Sequence, residues 1–250
     1  MAGNTRHAGV TATSRVLALL AAFDGAHRSL TLSELARRAD LPLSTAHRVA
    51  GELVDGALLA RRPGGAYTIG RRLWDLGLLA PGRSGLVEIA SPFLHDLYGA
   101  TGATVHLAVR DGMQVLYLDR LAGSASVPVV SSVGSRLPMH ATGVGKVLLA
   151  YAPGGVRTAV LANLPHITPY TVVHAGRLAE QLDRVRRDGY AQTSEEMSLG
   201  ACSVAVPVRS AGGEVVAALG IVVASLRRDR PRLVSALQVA ARGIGRCLPD

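Results

Sequence analysis

The sequence predicts an α+β fold of two units, and three observations carry that prediction. Apolar residues recur at helical spacing in short runs through the N-terminal quarter of the chain. A proline- and glycine-rich break, Pro81-Gly82-Arg83-Ser84-Gly85, follows. Beyond it, near-continuous apolar stretches of strand length alternate with amphipathic stretches of helix length, the pattern of helices covering one mixed sheet rather than of a Rossmann fold. With 250 residues, 48% hydrophobic and 18% charged, the chain has ample material for one or two cores. The expected divisions are a disordered tail over 1–13, a helical unit with a hairpin over 14–70, a linker helix and linker over 71–85, and an α+β unit over 86–250.

Met1 to Val10 is polar. From Ser14, an N-cap candidate, Val16, Leu17, Leu20 and Phe23 form one apolar stripe that ends before Asp24-Gly25. Thr31 and Glu34 have the spacing of a capping box, so a second helix starts there and buries Leu35, Ala36 and Ala39. Pro42 stops it and pre-sets the entry to a third helix. In that helix Ala46, Val49, Ala50 and Leu53 fall at i, i+3, i+4 and i+7 and face a core. Thr45, Arg48 and Glu52 then share the outward face, with Ser44 and His47 beside them near the N-terminal end. This is a helix-turn-helix whose second helix presents base- and phosphate-reading side chains. Leu58 to Arg62 and Ala66 to Ile69 flank Pro63-Gly64-Gly65 as a hairpin, a wing with Arg61 and Arg62 at its tip. Arg71 to Leu79 is amphipathic, with the single tryptophan, Trp74, expected to pack between subunits or on the winged unit.

Charge agrees with a nucleic-acid partner. The chain carries +9 overall, and its first 72 residues, with ten arginines against five acidic residues, hold +5 of it. The N-terminus lacks the apolar core of a secretory signal, and no run of roughly 18 apolar residues could span a bilayer. A cytoplasmic protein without a membrane partner is expected. Cys202 and Cys247 stand far apart, which excludes a disulfide framework or a cysteine zinc site.

After the break, Leu86, Ile89, Ala90, Phe93, Leu94 and Leu97 mark a helix bent or interrupted at Pro92. Thr104 to Arg110 and Gln114 to Arg120 read as strands joined by a positive-φ turn at Asp111-Gly112. Val127 to Val130 adds a further strand. Thr142 to Tyr151, Arg177 to Asp188 and Pro231 to Cys247 are helical, and Ser203 to Arg209 and Val215 to Ala224 are apolar strands. Ala141, Thr142, Gly143, Val144 and Gly145 form a loop entering a helix. Its free backbone N–H groups make either a carboxylate site or a glycine-rich cap satisfied by water or a side chain.

Four motifs in order carry a family resemblance: Leu30 to Leu53; Tyr67-Thr68-Ile69-Gly70; Met139-His140-Ala141-Thr142-Gly143-Val144-Gly145-Lys146-Val147-Leu148-Leu149-Ala150; and Arg186-Arg187-Asp188-Gly189-Tyr190 leading to Glu195-Glu196. The chain resembles the IclR family of bacterial transcriptional regulators from about Ser14 to its C-terminus. The resemblance implies a winged helix-turn-helix domain, a linker helix and a C-terminal effector domain similar to GAF and PAS sensors. It also implies homodimers through the DNA-binding domains, often paired into homotetramers, a double-stranded operator as one partner and a small-molecule effector as the other. Repression is the commoner output.

Carried over by that resemblance, Gly143 and Val144 line the effector pocket, and hydroxyl or thiol side chains are expected at the positions of Ser203, Gly220 and Val222, with an acidic residue near Thr193. Only Ser203 keeps a side chain of that kind. These departures point away from a small hydroxylated keto acid and toward a larger or more apolar effector such as an aromatic acid.

Other chemistries fit less well. Gly143-Val144-Gly145-Lys146 lacks the P-loop's first glycine, replaced by His140, and its Ser or Thr, replaced by Val147. Lys146, the single lysine beside 26 arginines, is either a catalytic or ligand-binding amine or a solvated residue near a helix end. His140 has no partner in a metal-ligand spacing, and Cys202 beside Ser203 has no motif to place a base. No cofactor, metal or catalytic residue is expected. The alternative to a regulator is a small-molecule-binding module or enzyme that uses the C-terminal domain without operator binding.

Overall fold

The computed structural model describes residues 11–79, 84–123 and 126–249. The chain divides into two compact units, Met1–Pro81 and Gly82–Asp250. The stretch Met1 to Val10 and the centre of the expected linker, residues 80–83, lie outside the described residues.

The first unit runs α1 (Ala12–Ala21), β1 (Ser29–Leu30), α2 (Leu32–Arg38), α3 (Leu43–Asp55), β2 (Leu59–Arg61), β3 (Tyr67–Ile69) and α4 (Arg71–Leu78). Helix α1 starts two residues before Ser14, and its cap is Thr11. The Thr11 hydroxyl accepts the Ser14 N–H at 3.0 Å, so it satisfies one of the free donors of the first turn and Ser14 becomes helical. The capping box of α2 forms: the Glu34 N–H donates to Thr31 Oγ1 at 3.3 Å, and the Thr31 N–H donates to the Glu34 carboxylate at 2.8 Å. Pro42 sits at the N-cap of α3, whose Ala46, Val49, Ala50 and Leu53 join Leu19, Leu35, Leu59 and Tyr67 in one core. The expected hairpin is present, and β1 adds a two-residue third strand against β3.

The second unit runs α5 (Ser84–Thr101), β4 (Thr104–Asp111), β5 (Gln114–Leu121), β6 (Arg136–Pro138), α6 (Gly143–Ala150), α7 (Gly154–Leu161), α8 (Ala175–Asp188), β7 (Ala191–Ser194), β8 (Cys202–Arg209), β9 (Val215–Val223) and α9 (Arg230–Cys247). Helix α5 begins inside the expected linker and passes through Pro92 unbroken. Burial of Ala90, Leu94 and Leu97 against the sheet outweighs the one backbone bond that proline removes.

The α+β class holds, with one correction: the sheet, in the order β6-β5-β4-β9-β8-β7, is antiparallel at every pairing rather than mixed. Tight reversals join β4 to β5, with Gly112 at φ +61°, and β8 to β9, and the two hairpins meet as antiparallel neighbours through β4 and β9. Val127 to Val130 forms no strand, because Pro128 lacks the N–H a ladder needs. The sheet gains β6 instead, an edge strand that ends on a proline. Helices α5 and α9 cover one face over Leu107, Val206, Leu219 and Ile221; α6 and α8 cover the other over Ala108, Tyr117, Ala205 and Ala218.

Candidate functional site

Each unit holds one set of candidate site residues. On α3 the four buried positions leave Ser44, His47 and Arg48 exposed and Thr45 half-buried on the outer side of the helix's N-terminal half. Arg48 is paired with Glu52 one turn along, both side chains being more than half exposed. A surface i,i+4 pair of this kind stabilises by only about 0.3–0.5 kcal/mol, so a phosphate or a guanine can displace it. On the wing Arg62 is exposed at the turn, where its N–H donates to Ala66 O at 2.7 Å and its carbonyl accepts from Gly65 at 3.0 Å. The Arg61 guanidinium lies 5.9 Å from the centre of the Tyr67 ring, which holds it along the hairpin.

In the second unit the strand register sets side chains in rows on the face beneath α6. Thr193 of β7, Ser203 of β8, Val222 of β9 and Thr104 of β4 form one row; Ala205, Gly220 and His106 form the next. The first turn of α6 lies over these rows. A Cβ at Gly143 would stand 2.5 Å from Ser203 Oγ, and one at Gly220 would stand 2.8 Å from the Val144 side chain, so glycine at both positions is what lets helix and sheet approach.

The result is a pocket beneath the first turn of α6, open on one side. It brings together Ala141, Thr142, Gly143 and Val144 from the α6 end and Thr193, Ser203, Gly220 and Val222 from the sheet. At the helix end Thr142 is the N-cap and its hydroxyl accepts the Gly145 N–H at 3.2 Å. The N–H groups of Gly143 and Val144, the first two of the helix, have no intrahelical acceptor. Beside them the Thr193 and Ser203 hydroxyls are 2.6 Å apart.

Sequence reasoning missed the opposite wall: His106 of β4, Tyr117 of β5 and Ser131 of the segment after β5. They place polar groups on one side of a pocket whose lining is otherwise mostly apolar. Its imidazole is buried, hydrogen-bonded through Nε2 to Ser131 Oγ at 2.8 Å, and edge-on to Tyr117 with centroids 4.9 Å apart. Burial, with the charge of Arg120 added, holds His106 down to about 3, so it is neutral, and burial pushes the Tyr117 hydroxyl up. The available signal was a histidine on the face of a strand whose other residues, Thr104 and Ala108, are small.

Lys146 matches neither sequence expectation. It is 1% exposed, with Nζ 2.6 and 2.7 Å from the two Glu196 carboxylate oxygens and 2.7 Å from Gln181 Oε1. Burial lowers the amine and raises the carboxyl, and their contact opposes both shifts. The pair fastens α6 to the segment after β7, which Thr168 and Thr171 also hold by donating to the Glu195 and Glu196 carbonyls at 2.6 and 2.8 Å. That segment carries Met197, Ser198 and Ala201 into the pocket wall. His140 is a buried core histidine bonded to Pro165 O at 3.0 Å. Among the described residues no group of three His, Cys, Asp or Glu side chains could hold a metal ion, and no helix is long and apolar enough to cross a membrane.

A winged helix-turn-helix followed by an α+β unit with an internal pocket defines a DNA-binding transcriptional regulator with an effector domain. Residues 12–63 match the IclR helix-turn-helix domain, and residues 80–246 match the family described as bacterial transcriptional regulator IclR C-terminal. Over 245 residues the chain is 30% identical to the HTH-type transcriptional regulator XynR of Escherichia coli K12, covering 96% of this chain and 97% of that one. It is also 30% identical, over 234 residues, to the HTH-type transcriptional repressor AllR of Salmonella typhi, covering 92% and 86%. An IclR homolog from Microbacterium hydrocarbonoxydans, solved in complex with 4-hydroxybenzoate, superposes with a TM-score of 0.90 at 36% identity, covering 94% of this chain and 97% of that one. The chain belongs to the IclR family, whose members are transcriptional regulators and not enzymes. This sets aside the enzymatic alternative.

Proposed function

We propose that this regulator is a repressor whose affinity for a double-stranded operator changes when an aromatic or other organic acid occupies the pocket under α6. The observation that carries the reading is the pocket's chemistry. Two free N–H groups at a helix N-terminus, flanked by the Thr193 and Ser203 hydroxyls, suit a carboxylate. The walls of Val144, Val222 and Tyr117 suit an apolar body. The 4-hydroxybenzoate complex of the Microbacterium homolog and the repressor activity named for AllR support the two halves of the reading.

On the DNA side, Ser44, Thr45, His47 and Arg48 face the major groove and Arg61 and Arg62 the phosphates. The protein acts as a homodimer or homotetramer. Trp74 and Leu76 on α4 and Leu17 on α1, all at least half exposed in the single chain, supply an apolar surface for pairing. Trp74 does not pack on its own winged unit.

Fluorescence anisotropy with DNA from the gene's own promoter tests the proposal. The expected result is tight binding that shifts about 5- to 150-fold on addition of a benzoate-class acid. A protein whose melting temperature and operator affinity are both unmoved by such acids lacks this effector class.

A further inference from the structure

The two walls of the pocket differ in what they offer a bound molecule. The α6 end presents backbone N–H donors together with the Thr142, Thr193 and Ser203 hydroxyls. The wall on β4 and the segment after β5 presents His106 and Ser131, an uncharged pair bonded to each other at 2.8 Å. Once bonded, such a pair retains both capacities. If the serine donates to the ring, its oxygen still accepts; if the ring donates to the serine, the serine's O–H is free to donate. A group that both donates and accepts answers either arrangement. A carboxylate, which only accepts, answers one arrangement and not the other, and a bare ring edge answers neither.

This end of the sheet also holds hydrogen-bonding capacity that the protein itself leaves unused. Among the described residues, two buried side-chain polar atoms lack a hydrogen-bond partner, Thr104 Oγ1 and Arg120 Nε. Both flank His106: Thr104 lies two residues before it on the same strand face, and Arg120 is its partner in register on β5. Neither residue lines the cavity, so neither contacts its occupant, and the charge of Arg120 disfavours protonation of the imidazole.

We propose that His106 and Ser131 are the specificity-determining pair of the pocket, recognising a neutral hydroxyl on the body of an aromatic acid whose carboxylate lies at the α6 N-terminus. This rests on the aromatic-acid reading above and narrows it to hydroxylated monocarboxylates.

Calorimetric titration of the full chain near neutral pH with benzoate, 3- and 4-hydroxybenzoate and terephthalate tests it. The wild type prefers at least one hydroxybenzoate over benzoate by about tenfold or more, because a buried polar pair left unmatched penalises the analogue. Terephthalate binds less tightly than that hydroxybenzoate. Ser131→Ala and His106→Phe reduce the preference, read as the ratio of hydroxybenzoate to benzoate affinity within each variant, to below about threefold, since each removes the matched hydrogen bond. A preference that survives in both variants, or terephthalate binding as tightly as the hydroxybenzoate, overturns the proposal while the aromatic-acid reading stands. If none of the four acids binds the wild type, the aromatic-acid reading fails and the proposal with it. Should the buried His106 variant lose its melting transition, Ser131→Ala decides.

Discussion

A buried ion pair and a buried histidine carry opposite logic. Lys146 and Glu196 are charged and paired, so removing one partner leaves an uncompensated charge in the interior. Lys146→Met is expected to destabilise the protein by about 3–5 kcal/mol in urea melts, and the double variant with Glu196→Leu to recover much of that loss. A double variant no more stable than the single would show that the pair is not the source. His106 is buried uncharged. Its folded value near 3 lies below the ordinary 6.5, so between those values the unfolded chain binds one more proton than the folded one. The stability this group contributes is therefore complete above about pH 6.5, falls as pH drops through that window, and is lost below about pH 3. At pH 5 the loss is about 2 kcal/mol. His106→Phe should flatten the stability profile between pH 7 and 5 by that amount, measured by denaturant melts at each pH.

The recognition helix and its wing divide the work of DNA binding. Arg48→Ala should cost about 1–3 kcal/mol of operator affinity if the side chain reads a base edge, and Glu52→Ala, which frees Arg48 from its surface partner, should leave affinity equal or higher. Arg62→Ala should instead weaken binding to all sequences alike and reduce the slope of log K against log salt by about 1. Anisotropy titrations across a salt series separate the two, and a sequence-independent Arg48 effect would move it to the phosphates. These elements were the most legible ones, because capping, helical period and the Gly64-Gly65 turn are local signals. The pocket was legible only from one side. Thr142 to Val144 announced themselves by glycines before a helix, and Ser203, Gly220, Val222 and Thr193 by family position. His106, Tyr117 and Ser131 meet through strand register and a proline-interrupted segment, contacts between residues distant in sequence that no local pattern encodes. The short β6 and β7 and the glycine-led α7 escaped for a related reason: two are edge strands of three and four residues, and α7 begins on Gly154-Gly155, which favour no helix.

At the scale of the molecule, the exposed apolar residues of the first unit bear on assembly. Trp74→Glu is expected to shift the protein toward monomer in sedimentation velocity and to weaken operator binding in parallel, while the isolated chain's melting temperature stays close to wild type because Trp74 is 61% exposed. An unchanged sedimentation coefficient would place the pairing surface elsewhere. The buried ion pair of the second unit has a practical use as well. The chain possesses a single side-chain amine, and that amine is sequestered behind the segment that closes one wall of the pocket. An acylating reagent therefore has one buried side-chain amine to reach, and reaches it only when the packing around the Lys146–Glu196 pair loosens. The rate at which Lys146 gains mass becomes a one-site clock for loosening of the contact that fastens α6 to the segment after β7, and it needs no engineered probe.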